Sequence, residues 1–81
     1  LPYSVQIMTD QWREMDDNVV KIYQSILVLK ESQKVIIIGK NGQGIKAIGE
    51  KARRDIKEVL GIDVHLFLFV KVRPNWIKDL D

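Results

Sequence analysis

Apolar and polar residues alternate from Tyr3 to Trp12, with Tyr3, Val5 and Ile7 on one face and Ser4, Gln6 and Met8 on the other. That period of two predicts a β-strand, and Pro2 suits its entry, where no ladder donor is needed. Arg13 to Asn18 is polar and acidic and reads as a hairpin connection. Val19 to Lys30, rich in Val, Ile and Tyr, predicts a second strand. Its apolar residues fall on both faces: Val20, Ile22, Ile26 and Val28 on one, Tyr23, Leu27 and Leu29 on the other. Such a strand is covered at least partly on both sides.

Glu31 to Ile38 reads two ways. Its run Val35-Ile36-Ile37-Ile38 is β-branched and favours a buried strand. Ser32 also suits the N-cap of a short helix that Gly39 would end. From Gly44 or Ile45 to Leu60 the pattern is plain. Ile45, Ile48, Ala52, Ile56, Val59 and Leu60 recur at three- and four-residue spacing, one stripe of an amphipathic helix. Gly49 lies beside that stripe, where a missing side chain permits close packing, and Gly61 supplies a left-handed stop.

Val64 to Val72 alternates strictly, with Val64, Leu66, Leu68, Val70 and Val72 facing one way and His65, Phe67, Phe69 and Lys71 the other. Both phenylalanines therefore leave the main aliphatic row, and with Tyr23 they form an apolar patch that is either half-buried or awaits a cover. Pro74 ends the strand, and Asn75 to Asp81 is a tail whose Trp76 either docks back or stays free.

Eighty-one residues make one domain, able to fold alone while burying roughly 60% of its unfolded surface. A first residue Leu1 in place of Met is what an excised piece of a longer chain would show. There is no cysteine, hence no disulfide framework or thiolate metal site, and the single His65 makes a protein-built metal centre improbable. No apolar run approaches the ~18 residues of a membrane span, so a soluble intracellular domain is expected. The net charge of +2 says little, but its distribution says more. Lys30 to Lys57 holds eight basic and three acidic residues, a local +5, against −3 for the remainder. On a helical wheel counted from Ile45, Lys46, Arg53 and Lys57 lie at about 100°, 80° and 120°, a basic edge beside the apolar stripe. Glu50 lies within that edge and can pair with Arg54 at i+4.

The positive region surrounds Ile37-Ile38-Gly39-Lys40-Asn41-Gly42-Gln43-Gly44-Ile45. Glycines at both ends of a short polar loop let the chain turn sharply and let another backbone approach. Loop amides and the start of the next helix then face one place, which suits a phosphate, and Lys40 adds a cation. The bland alternative is a glycine-rich turn with no ligand. The loop is neither a Walker A, which needs more residues between its glycines and then Gly-Lys-Ser/Thr, nor the dinucleotide fingerprint, whose glycine order is reversed here. No catalytic set can be assembled around His65 or the solvated pair Asp16-Asp17, so no enzyme activity is expected of this chain. What fits is the G-x-x-G loop with which KH domains clamp a nucleic-acid backbone.

Taken with Leu1-Pro2-Tyr3-Ser4-Val5, Ser32-Gln33-Lys34, Ile45-Lys46-Ala47-Ile48-Gly49-Glu50, Ala52-Arg53 and the stretch from Val64 to Trp76, the chain resembles the C-terminal type II KH domain of Era-family bacterial GTPases. Asn41 departs from a frequent second glycine, which Asn tolerates because it accepts left-handed geometry. Pro74 departs from a more usual charge. The resemblance implies an α+β fold: a β-hairpin, two helices around G-x-x-G, and a third strand parallel to its neighbour. The result is a three-stranded mixed sheet with helices on one face and a right-handed crossover. It makes Ser32 to Ile38 the first helix, residues 1–76 the KH domain and residues 77–81 a tail. It also implies a GTPase domain and a further helix before this chain, with GTP and Mg bound there and no cofactor here.

The partners it implies are single-stranded RNA, at the 3′ end of small-subunit ribosomal RNA during small-subunit assembly, and the protein's own GTPase domain. The chain would then be monomeric, and cytoplasmic or held at the inner membrane through its parent. The site it implies comprises Gly39 and Gly42 admitting the RNA backbone, with Lys40, Asn41 and Gln43 at the phosphate. Lys34, Lys46 and Arg53 extend the charge, and Ile38, Ile45 and Ile48 form either an apolar floor or simply core. Two alternatives stand beside it. One is a KH domain of another ribosomal or transcription-elongation protein, against which Val64 to Trp76 argues. The other is a protein-interaction module using Tyr23, Phe67 and Phe69.

Overall fold

The structure, a computed structural model, describes residues 5–74. The expectations for Pro2, Tyr3 and the tail with Trp76 lie outside the described residues. In chain order the elements are β1 (Gln6–Met15), β2 (Val19–Val28), α1 (Glu31–Ile38), a single 3₁₀ turn (Lys40–Gly42), α2 (Gln43–Leu60) and β3 (Asp63–Val72). The sheet order is β1-β2-β3, antiparallel between β1 and β2 and parallel between β2 and β3. This is the mixed three-stranded α+β arrangement that the resemblance implies.

The first strand runs further than its alternation indicates. Arg13, Glu14 and Met15 pair with Lys21, Val20 and Val19, so the connection is only Asp16 to Asn18. Asp17 and Asn18 both take positive φ, 67° and 58°, the geometry whose twist suits a tight hairpin and which Asp and Asn tolerate. A β-bulge at Asp10 inserts one residue between the pairs Thr9–Gln24 and Gln11–Tyr23. It resets the alternation, so that Ile7 and Trp12 share the face of Ile26 and Ile22. The bulge also aims the Asp10 carboxylate at Ser25, whose buried hydroxyl donates to it at 2.5 Å.

The run Val35-Ile36-Ile37-Ile38 is helical despite its β-branching. Each such residue costs under about 0.7 kcal/mol in a helix, a small penalty, and the half-burial of Ile37 and Ile38 offsets part of it. Both sides of β2 are already taken by β1 and β3, so a strand here would have no place beside it. Ser32 is not the N-cap. Lys30 holds that position, and the Gln33 side chain accepts the N–H groups of Leu29 and Lys30 at 2.9 and 3.0 Å.

The central core joins β2 and β3 to α2: Val20, Ile22 and Val64 are buried, with Ile56, Ile62 and Leu66 packed against them. Val28, Ile26 and Leu27 are also buried. The helices lie over β2 and β3 and leave the inner face of β1, with Ile7 and Trp12, exposed. Val59, assigned to the α2 stripe by spacing, is 83% exposed. On α2 the ion pair that forms is Lys51–Asp55 at 3.0 Å and not Glu50–Arg54. Lys57 bridges to Asp63 at 2.9 Å and ties the end of α2 to the start of β3.

Close backbone packing falls at Gly44 and not at Gly49. A Cβ on Gly44 would lie 2.5 Å from the Ile37 carbonyl oxygen, whereas one on Gly49 would meet only the Leu68 side chain at 3.5 Å, an ordinary contact. Gly44→Ala is therefore expected to lose about 1–3 kcal/mol in urea denaturation through overpacking. Gly49→Ala is expected to hold or gain up to about 1 kcal/mol from helix propensity. The Asp63 carboxyl is held below its ordinary value by the hydrogen bond from Lys57 and then by that cation's charge. Because the folded value is depressed, this contribution is present above the unfolded carboxylate pKa and is lost as pH falls through the folded one. Lys57→Met should raise the Asp63 midpoint in a 13C NMR titration.

Candidate nucleic-acid interface

The loop between the helices is built from three consecutive backbone devices. The Gly39 N–H donates to the Val35 carbonyl at 2.9 Å and closes α1, while φ 73° and ψ 176° place Gly39 in a region essentially restricted to glycine. The chain then makes one 3₁₀ turn in which Asn41 is left-handed (φ 55°, ψ 26°). Gly42, also left-handed (φ 74°, ψ 10°), opens α2. A Cβ on Gly42 would meet nothing within 4 Å, so its outer side is open space. Gly39 differs, because its missing Cβ makes room for the backbone of Gly44, 3.0 Å away.

The donors at the loop divide into two sets. Gly42 N–H is spent on the Gly39 carbonyl at 3.1 Å and Gln43 N–H on the Lys40 carbonyl. Among the described residues the N–H groups of Lys40 and Asn41 donate to nothing, and both residues are exposed. A right-handed residue followed by a left-handed one is the arrangement that turns successive N–H groups into an anion-binding concavity. The expectation that all loop amides converge thus reduces to two, those of the exposed residues Lys40 and Asn41.

From the first turn of α2 a groove runs between that helix and β3, lined by Ile45, Lys46, Gly49, Glu50, Arg53, Leu66 and Leu68. Ile45, Lys46 and Arg53 of the expected site meet here. Ile48 does not. It lies about 60° behind Ile45 on the wheel and lines a separate apolar groove with Val5, Ile7, Ile26, Ile36, Ile37 and Gly44. Ile38 is half-buried and lines neither groove, and Lys34 sits half-buried on α1 away from both. Lys57, on the same basic edge by angle, is engaged by Asp63.

Leu66 and Leu68 escaped the sequence reading because strict alternation marks them as core. β3 is an edge strand, so its inner face reaches past the helix and becomes a groove wall. Gly49 and Glu50 were in view, but as a packing position and half of an ion pair. Among the described residues no cluster of His, Asp or Glu is arranged to hold a metal. No helix there is long and apolar enough to cross a membrane.

A family model described as KH domain matches residues 1–77. The chain is similar to GTPase Era of Bradyrhizobium diazoefficiens, 53% identical over the whole chain and 26% of that protein. It is 52% identical to GTPase Era of Brucella suis biovar 1 over 98% of the chain and 25% of the relative. Among solved structures, Aquifex aeolicus Era bound to GDP and aluminium tetrafluoride superposes with a TM-score of 0.84 at 40% identity, over 90% of this chain and 25% of that one. An Era complex with MgGDPNP and nucleotides 1506–1542 of 16S ribosomal RNA gives 0.85 at 40%, with the same coverage. The chain thus spans about a quarter of the length of the relatives it matches.

Proposed function

This chain belongs to the KH domain family, and from that premise we propose that it is the single-stranded-RNA-binding module of an Era-like GTPase. The observation that carries the reading is the two unspent N–H groups of Lys40 and Asn41, in the loop that leads into α2, whose first turn begins the groove against β3. A sugar-phosphate backbone rests against Gly39 and Gly42, with a phosphate at those amides and the Lys40 ammonium. Ile45, Leu66 and Leu68 floor the groove under the splayed bases, and the absent side chain of Gly49 leaves room for them. Lys46 and Arg53 supply positive charge along its wall. Glu50 is the groove's carboxylate acceptor, suited to a base that presents an exocyclic amine.

The RNA is the 3′ end of small-subunit ribosomal RNA, bound during assembly of the small subunit in the cytoplasm. The support is the likeness to an Era solved with a 16S fragment. GTP and magnesium belong to the GTPase domain of the longer protein, and turnover is assigned to that domain. This chain contributes RNA recognition.

Replacing Lys40 and Asn41 by aspartate leaves the fold intact, since both are exposed and outside the core, and is expected to abolish RNA binding at the loop and groove. Unchanged affinity in a titration at fixed salt would overturn the loop as phosphate clamp. Lys46→Gln or Arg53→Gln should weaken binding to all sequences and flatten the salt dependence by about 0.7 per lost phosphate contact.

A further inference from the structure

The sheet face opposite the helices carries a second constellation that the groove reading does not use. Register places Gln11, Tyr23 and Phe67 in one row across the strands, with Arg13, Lys21 and His65 in the next. Tyr23 and Phe67 stack at 4.7 Å between ring centroids with 14° between planes. Phe69 follows one pleat along and is 49% exposed. Between Tyr23 and Phe69 lies a shallow depression completed by Asp10, Gln11 and Lys71. Among the described residues the ion pairs are Lys51–Asp55 and Lys57–Asp63, so Arg13, Lys21 and Lys71 enter none. The Asp10 carboxylate in the depression is already engaged by Ser25.

We propose that this face is a second contact for single-stranded RNA, in which a base stacks in the depression between Tyr23 and Phe69 and the flanking basic residues hold the phosphates on either side. Aromatic rings stack on any base without regard to sequence, and unpaired cations next to them follow the backbone. The Gln11 amide at the rim offers both donor and acceptor to a base edge. Charge favours RNA over protein here. A protein-docking core is depleted of charged residues, whereas this patch has cations on two sides of its aromatic rows and one acid that is already bonded. With the loop and groove on the helix side, the two contacts lie on opposite faces of the sheet, so one RNA must pass around the β3 edge or two segments must bind.

The test is an amide and aromatic NMR titration of the wild-type chain and of the Lys40→Asp, Asn41→Asp variant with a short unstructured pyrimidine RNA. Saturable shifts at Tyr23, Phe67 and Phe69 in both proteins are expected. Shifts confined to residues 38–53 of the wild type would overturn this face and leave the groove standing. Shifts at the face alone would overturn the groove and leave the face, and silence at both would overturn both. Face resonances that move on dilution without RNA would show a second copy of the chain as the occupant and overturn the RNA assignment. Phe67→Ala with Phe69→Ala should weaken the loop variant's residual binding about fivefold or more. Lys21→Gln with Lys71→Gln, on the surface and outside the core, should lower its salt slope by about 0.7 per lost contact.

Discussion

The near-contact of two backbones at Gly44 is the constraint from which the rest of the site follows. With no Cβ on Gly44, the start of α2 can press against the Ile37 and Ile38 carbonyls at the end of α1. Helices brought this close can be joined by a very short link, and a short link must turn through conformations that only glycine or asparagine tolerates. Gly39, Asn41 and Gly42 occupy those conformations. Their internal hydrogen bonds consume the amides of Gly39, Gly42 and Gln43 and leave those of Lys40 and Asn41 unspent. A bulkier residue at the helix contact would change the helix angle, and with it the direction of every donor in the loop.

The parallel pairing of β2 and β3 supplies the other half of the site. A parallel pair needs a long crossover, and here the crossover is the helix-loop-helix itself. The same segment that completes the core therefore carries the loop to the rim of the sheet. Because β3 is at the edge, Leu66 and Leu68 extend beyond α2 and become a wall. Core and groove are consecutive parts of one apolar face, distinguished only by how far the helix reaches. The opposite face of the sheet, over which no helix lies among the described residues, presents its aromatic and basic rows.

Much of this was legible along the chain. Strict alternation in β3, the three- and four-residue spacing in α2 and the left-handed stop at Gly61 are local patterns, and each element formed where its pattern lies. The loop was legible for the same reason, since glycine spacing directly states backbone freedom. Non-local competition was not legible. The isoleucines of α1 favour a strand by propensity and are helical because the strand positions beside β2 were filled. The bulge at Asp10 answers to the partner strand, which no window on β1 contains.

The site divides along the same line. By itself the sequence determined the loop, its lysine and the basic edge of α2, because spacing along one helix fixes angle around it. It also determined that Phe67 and Phe69 leave the aliphatic row. Only the tertiary structure decided that Ile45 and Ile48 face different grooves, that Lys57 is spent on Asp63, and that Gly44 and not Gly49 is the close contact. Each of those outcomes depends on what stands across from the residue. A one-dimensional pattern records which way a side chain points and is silent about what it meets.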